Sequence, residues 1–271
     1  MLPDYHIHTA RCGHAEGTTT AYVEAAIRKG IKEIGFADHI PLYWLDNAER
    51  DPELAMPEAE LPHYVAEIHE LQKTYPQITI RLGIEVDYIP GAEDDARAII
   101  EEYPFDYVLG SIHYIDGWGF DNPDFISGYE GKDPDEVYRC YFDLLQRAAS
   151  SGLFDILAHP DLIKKFNYRS RTDLRPLYQE TARVIARAGT CIEINTAGLR
   201  KPVQEIYPSL EFLTICRSHG IPVTVGSDAH SPEEVGADFG RAAALVREAG
   251  YRQIVTFSRR RRTAMLLKVG D

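Results

Sequence analysis

The chain has 271 residues, 44% hydrophobic and 26% charged, which supports a large buried core and excludes a disordered or low-complexity protein. Its net charge of -13 argues against extended contact with a nucleic-acid backbone, which needs clustered cations. No apolar run approaches the roughly 18 residues that span a bilayer, and the first residues lack the basic-then-apolar pattern of a signal peptide.

Strand-like and helix-like segments alternate along the whole sequence. Residues 4–9 read as a short strand, and residues two apart on a strand share a face. His6 and His8 therefore project together, a half-shell for a transition metal. Thr18, Thr19 and Thr20 offer caps for a helix over 21–29, closed by Gly30. A strand over 33–37 ends in Asp38-His39. Residues 40–58, rich in proline, acids and aromatics, predict a long loop over one end of the fold, a candidate lid. A helix over 61–75 is stopped by Pro76, and a strand over 78–86 carries Glu85 near its end. A helix over 91–103 precedes a strand over 107–114 that holds Gly110-Ser111-Ile112-His113. Residues 115–132, with Trp118, form a second irregular stretch.

A helix over 134–150 leads to a strand over 154–158 that ends in His159-Pro160. Residues 173–188 read as helix, 191–195 as strand, 209–219 as helix and 222–225 as a strand entering Gly226-Ser227-Asp228-Ala229-His230. Ser231-Pro232-Glu233-Glu234 reads as a helix start, continued over 237–249. A last strand over 253–257 precedes an end predicted to be helical, with the basic run at 259–262 as its solvated face. About seven strand–helix units with no linker predict α/β architecture: a parallel sheet closed into a barrel, one domain over 1–271. Cys12, Cys140, Cys191 and Cys216 form no CxxC. Neither a zinc–thiolate site nor a disulfide framework is expected, and a reducing cytoplasm is the simplest location.

Seven of the ten histidines fall at or just after predicted strand ends: His6, His8, His14, His39, His113, His159 and His230. In a parallel barrel those ends open on one face, where active sites are built. His63 and His69, on the helix over 61–75, and His219, at a helix end, read as surface residues or dipole partners. Glu85 and Asp228 stand at matching strand ends. Nine candidate ligands are too many for one ion and suit two or three, with a carboxylate bridging a pair. Imidazole and carboxylate donors suit zinc, iron or manganese. The plain alternative is a set of unrelated hydrogen-bonded histidines, which leaves their shared position unexplained.

The motifs Tyr5-His6-Ile7-His8-Thr9, Ala37-Asp38-His39, Gly83-Ile84-Glu85, Gly110-Ser111-Ile112-His113, Ala158-His159-Pro160 and Gly226-Ser227-Asp228-Ala229-His230 resemble those of the PHP (polymerase and histidinol phosphatase) family. Gly117-Trp118-Gly119-Phe120-Asp121 and Asn195-Thr196-Ala197-Gly198-Leu199-Arg200 resemble its histidinol-phosphate phosphatase branch. The resemblance runs nearly the full length. It implies a distorted (βα)7 TIM-like barrel and a trinuclear metal site. One ion would take His6, His8, Glu85 and Asp228; a second would share Glu85 and add His113 and His159; the third would take His14, His39 and His230.

The expected activity is hydrolysis of L-histidinol phosphate to L-histidinol and phosphate, a step of histidine biosynthesis, by hydroxide bridging two ions. Glu85, Asp228 and His230 are the catalytic candidates, and the leaving alkoxide would take its proton from Asp228, His230 or a metal-bound water. A phosphate monoester also calls for a guanidinium, and Arg200 is the first choice. Lys164, Lys165, Arg169 and Arg171 are weaker candidates. Tyr114, Ser111 and Asn195 could contact substrate, Asp116 or Asp121 its ammonium or imidazole, and Asp38 would orient a ligand histidine. Two rivals remain: a PHP phosphoesterase for nucleotides or other small esters, and a non-catalytic metal-binding module. Oligomeric state is not legible.

Overall fold

The computed structural model describes residues 1–267. In chain order its main elements are β1 (Asp4–Ile7), α1 (Thr19–Arg28), β2 (Glu33–Phe36), α2 (Leu61–Thr74), β3 (Thr79–Asp87), α3 (Glu93–Glu102), β4 (Tyr107–Ser111), β5 (Tyr114–Ile115), β6 (Trp118–Gly119), α4 (Pro134–Ser150), β7 (Ile156–Leu157), α5 (Arg175–Ala188), β8 (Cys191–Asn195), α6 (Leu210–Ser218), β9 (Val223–Gly226), α7 (Phe239–Glu248), β10 (Gln253–Ser258) and β11 (Arg261–Leu266).

Seven strands make one parallel sheet in the order β1-β2-β3-β4-β7-β8-β9. The edges nearly close. At the end of β1 and just past β9, Ile7 bridges Ala229, with His8 N donating to Ala229 O (3.0 Å) and Ala229 N to His6 O (3.1 Å). A helix covers each crossover because each presents one apolar stripe to the sheet. On α4, for example, Val137, Tyr138, Tyr141, Phe142 and Leu145 are buried, and Asp133 caps the first turn beside Pro134. The result is the expected distorted (βα)7 barrel.

The N-terminal end of the barrel is plugged by aromatics. Tyr107 lies inside, packed edge-on against Tyr5 at 4.9 Å, with its hydroxyl donating to Tyr5 O (2.8 Å). Gly35 and Gly83 face this ring, and a Cβ on either would collide with it. Phe257 from β10 completes the plug.

That last contact corrects an expectation. The sequence predicts a helical end to the chain, but β10 and β11 form an antiparallel hairpin under the barrel. Arg259 and Arg260 take left-handed conformations at its turn (φ 50° and 62°). Arg260 is no free surface charge: it pairs with Asp155 and donates to Leu153 O (2.8 Å), holding the hairpin to the barrel. Burial of Ile254, Val255 and Phe257 outweighs the helix propensity of the basic run. The part of that expectation covering 268–271 lies outside the described residues.

A second difference follows β9. Ser231 starts only a short 3-10 turn, Pro232–Glu234. Gly236 (φ 65°) and Asp238 (φ 59°) break the path before α7 begins, and Glu234 is drawn to Arg200 instead. The loop over 40–58 is irregular apart from turns, as expected, and the stretch over 115–132 holds the β5–β6 ribbon and the 3-10 turn Pro123–Tyr129.

Candidate metal centre

Polar side chains converge at the C-terminal ends of the barrel strands. β1 carries His6 and leads to His8; β3 carries Glu85 and Asp87; Ser111 closes β4 with His113 beyond it. His159 follows β7, Glu193 and Asn195 lie on β8, and Asp228 and His230 follow β9. His14 arrives on the turn after β1, and His39 just after β2.

Glu85 is the hub, with its side chain 1% exposed. It faces His159 Nε2 at 3.0 Å, His39 Nδ1 at 3.2 Å, His6 Nε2 at 3.3 Å, His8 Nε2 at 3.5 Å and His113 Nε2 at 3.8 Å. Ser111 Oγ donates to it as well. Asp228 lies 3.3 Å from His8 Nε2, 3.5 Å from His230 Nδ1 and 3.8 Å from His6 Nε2. The His230 ring stacks on His8 at 4.2 Å and on His14 at 4.9 Å. All nine candidate ligands therefore meet in one place. Asp228 (φ 54°) and His159 (φ 28°) hold left-handed backbone, a strain that side chains avoid unless their surroundings enforce it.

A second ring of carboxylates aims the imidazoles. His6 Nδ1 binds Glu193 (2.8 Å) and His113 Nδ1 binds Asp87 (2.8 Å), which turns each Nε2 inward. Asp38 accepts from Thr9 N (3.2 Å) and His39 N (2.9 Å) and lies 3.5 Å from His8 Nδ1. Carboxylate–imidazole pairs of this kind fix the tautomer of a ligand histidine.

Several buried atoms are left without a partner: Nε2 of His6, both ring nitrogens of His8, Oε2 of Glu85 and Nδ1 of His159. A buried unsatisfied polar atom costs about 1–3 kcal/mol. Ligand atoms of His6, His8 and Asp228 lie within 4.8 Å of one another, as do those of His8, His39 and His230, and of His39, Asp87 and His113. The donor set fits divalent cations.

The electrostatics agree. Burial disfavours charge on His6, but Glu193, Glu85 and Asp228 hold its pKa well above the ordinary value. Burial is likewise outweighed at His8, by Asp228 and Asp38. At His113, Asp87 and Asp121 overcome burial and lift the pKa to about 10. Burial opposes ionisation of Glu85 and Asp228 too, yet the surrounding imidazoles hold both well below the usual carboxylate range. His39 and His230 go the other way: burial and cationic neighbours push both well below the imidazole value. Anionic oxygens here gather positive charge, as protons if not as metal.

Comparison with known proteins adds the family. The PHP domain pattern matches residues 4–197 and the PHP-associated pattern residues 212–238. The chain belongs to the PHP family. Among PHP proteins, the "Probable histidinol-phosphatase" of Deinococcus radiodurans is 42% identical over 263 residues, 96% of this chain and 98% of the relative. The "Histidinol-phosphatase" of Bacillus subtilis is 32% identical and covers 86% of this chain and 95% of its own length. The PHP barrel also superposes on the crystal structure of histidinol phosphate phosphatase from Lactococcus lactis, complexed with zinc, L-histidinol and phosphate. The TM-score is 0.81 at 24% identity, over 97% of this chain and 98% of the other.

The other predicted contacts divide. A cavity of about 510 Å³ opens over the PHP cluster, bordered by Arg200, Lys165, Tyr114 and Asp121. Arg200 pairs with Glu234 (2.9 Å) and donates to Ser227 O (2.8 Å), and its buried Nη1 has no partner. Lys165 pairs with Asp121 (3.0 Å). Lys164 does not border the cavity. It is 2% exposed and turned to Asp161 (2.8 Å) and Ile206 O (2.9 Å), because it ends a 3-10 turn that buries it. Ser111 and Asn195 are also buried and bind carboxylates of the cluster: Ser111 binds Glu85, and Asn195 binds Asp228 (3.2 Å) and Glu193 (3.0 Å). Arg169 pairs with Glu205, and Arg171 and Asp116 are exposed. His63 is exposed beside Glu60, and His219 meets Gln179 (3.0 Å).

Sequence reasoning passed over Asp87 and Glu193. Both had a signal. Asp87 lies two residues after Glu85 on one strand, hence on one face. Glu193 is an acid in the middle of an apolar strand, Cys191–Asn195.

Proposed function

We propose that this chain is a metal-dependent phosphomonoesterase that hydrolyses L-histidinol phosphate to L-histidinol and phosphate, with residues 1–271 acting as one PHP-type domain. The observation that carries it is the convergence of seven histidines, Glu85 and Asp228 beneath a cavity bordered by Arg200. The names of the Deinococcus and Bacillus relatives, and the ligands in the Lactococcus complex, support the substrate.

In this reading His6, His8, Glu85 and Asp228 hold one ion. Glu85, His113 and His159 hold a second, and His14, His39 and His230 a third; the ions are zinc, iron or manganese. Bound there, such cations lower the pKa of water to near neutrality and offset charge on phosphoryl oxygens. Glu85, common to two of these sets, would be shared between them, and Ser111 fixes Glu85. Arg200, held by Glu234 and two backbone carbonyls, brings its guanidinium to the cavity wall for phosphate. Asp228 and His230, 3.5 Å apart on the cavity wall, would relay to the departing alkoxide the proton that the attacking water gives up. Asp51, Glu53 and Asp124 on the rim attract the substrate's cationic end and disfavour a polyanion. Four free thiols fit a reducing cytoplasm.

The test compares turnover of L-histidinol phosphate, nucleoside monophosphates and an aryl phosphate by the metal-loaded protein. L-histidinol phosphate should lead in kcat/KM by at least about 10²-fold. A faster nucleotide would favour the alternative PHP phosphoesterase, and full activity after exhaustive chelation would remove the mechanism.

A further inference from the structure

Cys12 is placed unlike the other buried cysteines. Cys191 and Cys216 lie in apolar clusters. Cys12 is 0% exposed but its Sγ faces the histidine cage. The sulfur and one ring nitrogen each of His14 and His230 lie within 4.8 Å of one another. It also groups, within the same limit, with His8 and Asp38. Neither ring nitrogen of His8, 1% exposed, has a hydrogen-bond partner.

The turn that carries Cys12 is fixed from two directions, by Asp38 and by the 40–58 loop. Thr9 caps the 3-10 turn Ala10–Cys12 and is itself held by Asp38. Gly13 then takes a left-handed conformation (φ 86°) with no room for a Cβ against Pro52 O, so the 40–58 loop covers the turn. His14 Nδ1 binds Glu53 O (2.8 Å) from that loop. The covered turn aims a thiol and an imidazole, two residues apart, at His230.

We propose that Cys12 Sγ is a metal ligand, a fourth donor to the ion assigned to His14, His39 and His230. Zinc holds sulfur at about 2.3 Å and imidazole nitrogen at about 2.0 Å, so ligand atoms around one ion stand about 3.5 Å apart. Contraction of the Cys12, His14 and His230 group, now within 4.8 Å, reaches that spacing, and His39 adjoins through His230. The step is ligand exchange: the S–H bond breaks, the metal–sulfur bond forms and one proton leaves to solvent for each ion bound. A soft thiolate beside imidazoles favours zinc or cobalt over manganese at this position, while the carboxylate-rich sets around Glu85 and Asp228 carry no such bias. The proposal rests on the metal-cage reading above.

The full chain, freed of metal and reloaded with cobalt(II), tests it. Metal content is counted by atomic absorption, and the near-ultraviolet sulfur-to-cobalt charge-transfer band is recorded for wild type and Cys12→Ser. The expected result is a band in wild type that Cys12→Ser abolishes, with at least about tenfold weaker affinity for one equivalent only. A full complement of cobalt without the band overturns the role of Cys12 and leaves the cage standing. A band that survives Cys12→Ser does the same. No stoichiometric cobalt at all overturns both. Should Cys12→Ser fail to fold, cadmium-113 resonances of the wild-type protein decide: one must be shifted downfield as sulfur-ligated, and its absence refutes the assignment.

Discussion

At the N-terminal end of the barrel, Tyr107 donates to Tyr5 O (2.8 Å), Tyr5 to Glu33 (2.5 Å), and Phe257 N to the Tyr5 hydroxyl (2.9 Å). At the C-terminal end the same strands leave ring nitrogens of His6, His8 and His159 and an oxygen of Glu85 buried and unmatched. One end is a closed core in which polar tips find partners. The other keeps unmet donors and acceptors that suit an added cation. The contrast teaches where folding and function part: a packed, satisfied end holds the strands in register, and so can carry a strained, charge-dense end that would not form alone.

Substitution at each end should break different things. Glu85→Ala should lower turnover by at least about 10³-fold and release two ions together, with circular dichroism unchanged, since the variant removes a hub that the plug does not use. Metal content intact after this change would mean Glu85 bridges nothing. Tyr107→Ala should do the opposite. It leaves a cavity between Gly35, Gly83 and Phe257 and should lower stability by about 3–5 kcal/mol in urea unfolding. The fraction still folded should bind its full metal complement.

Acid should discriminate between the ends too. His6, His8 and His113 have raised pKa values, so in the metal-free chain they stay protonated to higher pH than free imidazole. Metal must displace those protons. Affinity therefore rises with pH through and above neutrality, about tenfold per unit for each proton released. Glu85 and Asp228, held well below the carboxylate range, stay ionised there and contribute no slope. Competition titrations at pH 6, 7 and 8 would show it, and a flat profile would contradict the protonated state of the cage.

Much of the working end was legible beforehand because its signal is periodic and chemical at once. Histidines at strand ends share a face whatever the loop lengths, so His6, His39, His113 and His159 could be read from position alone. Lys164 and Lys165 show the limit. They are adjacent, equally basic and equally near His159, yet one turns into the core against Asp161 and the other borders the cavity. That choice is made by packing of the 3-10 turn, which no spacing rule encodes. The hairpin at the plug was lost for a related reason. Its basic turn looks helical in isolation, and only burial of Phe257 against Tyr5 and Tyr107 decides otherwise.

His69 gives the smallest expected effect and the sharpest check on the division of the histidines. It lies on α2, half-buried, and borders a separate cavity with Arg259, Arg260 and Asp106, at the end that holds the hairpin. None of the described contacts ties it to Glu85 or Asp228. His69→Ala should therefore leave kcat/KM and metal content within error, and shift stability by no more than about 0.5 kcal/mol. Loss of activity with stability preserved would show that the plugged end communicates with the metal end through β3, and the separation between the two would have to be abandoned.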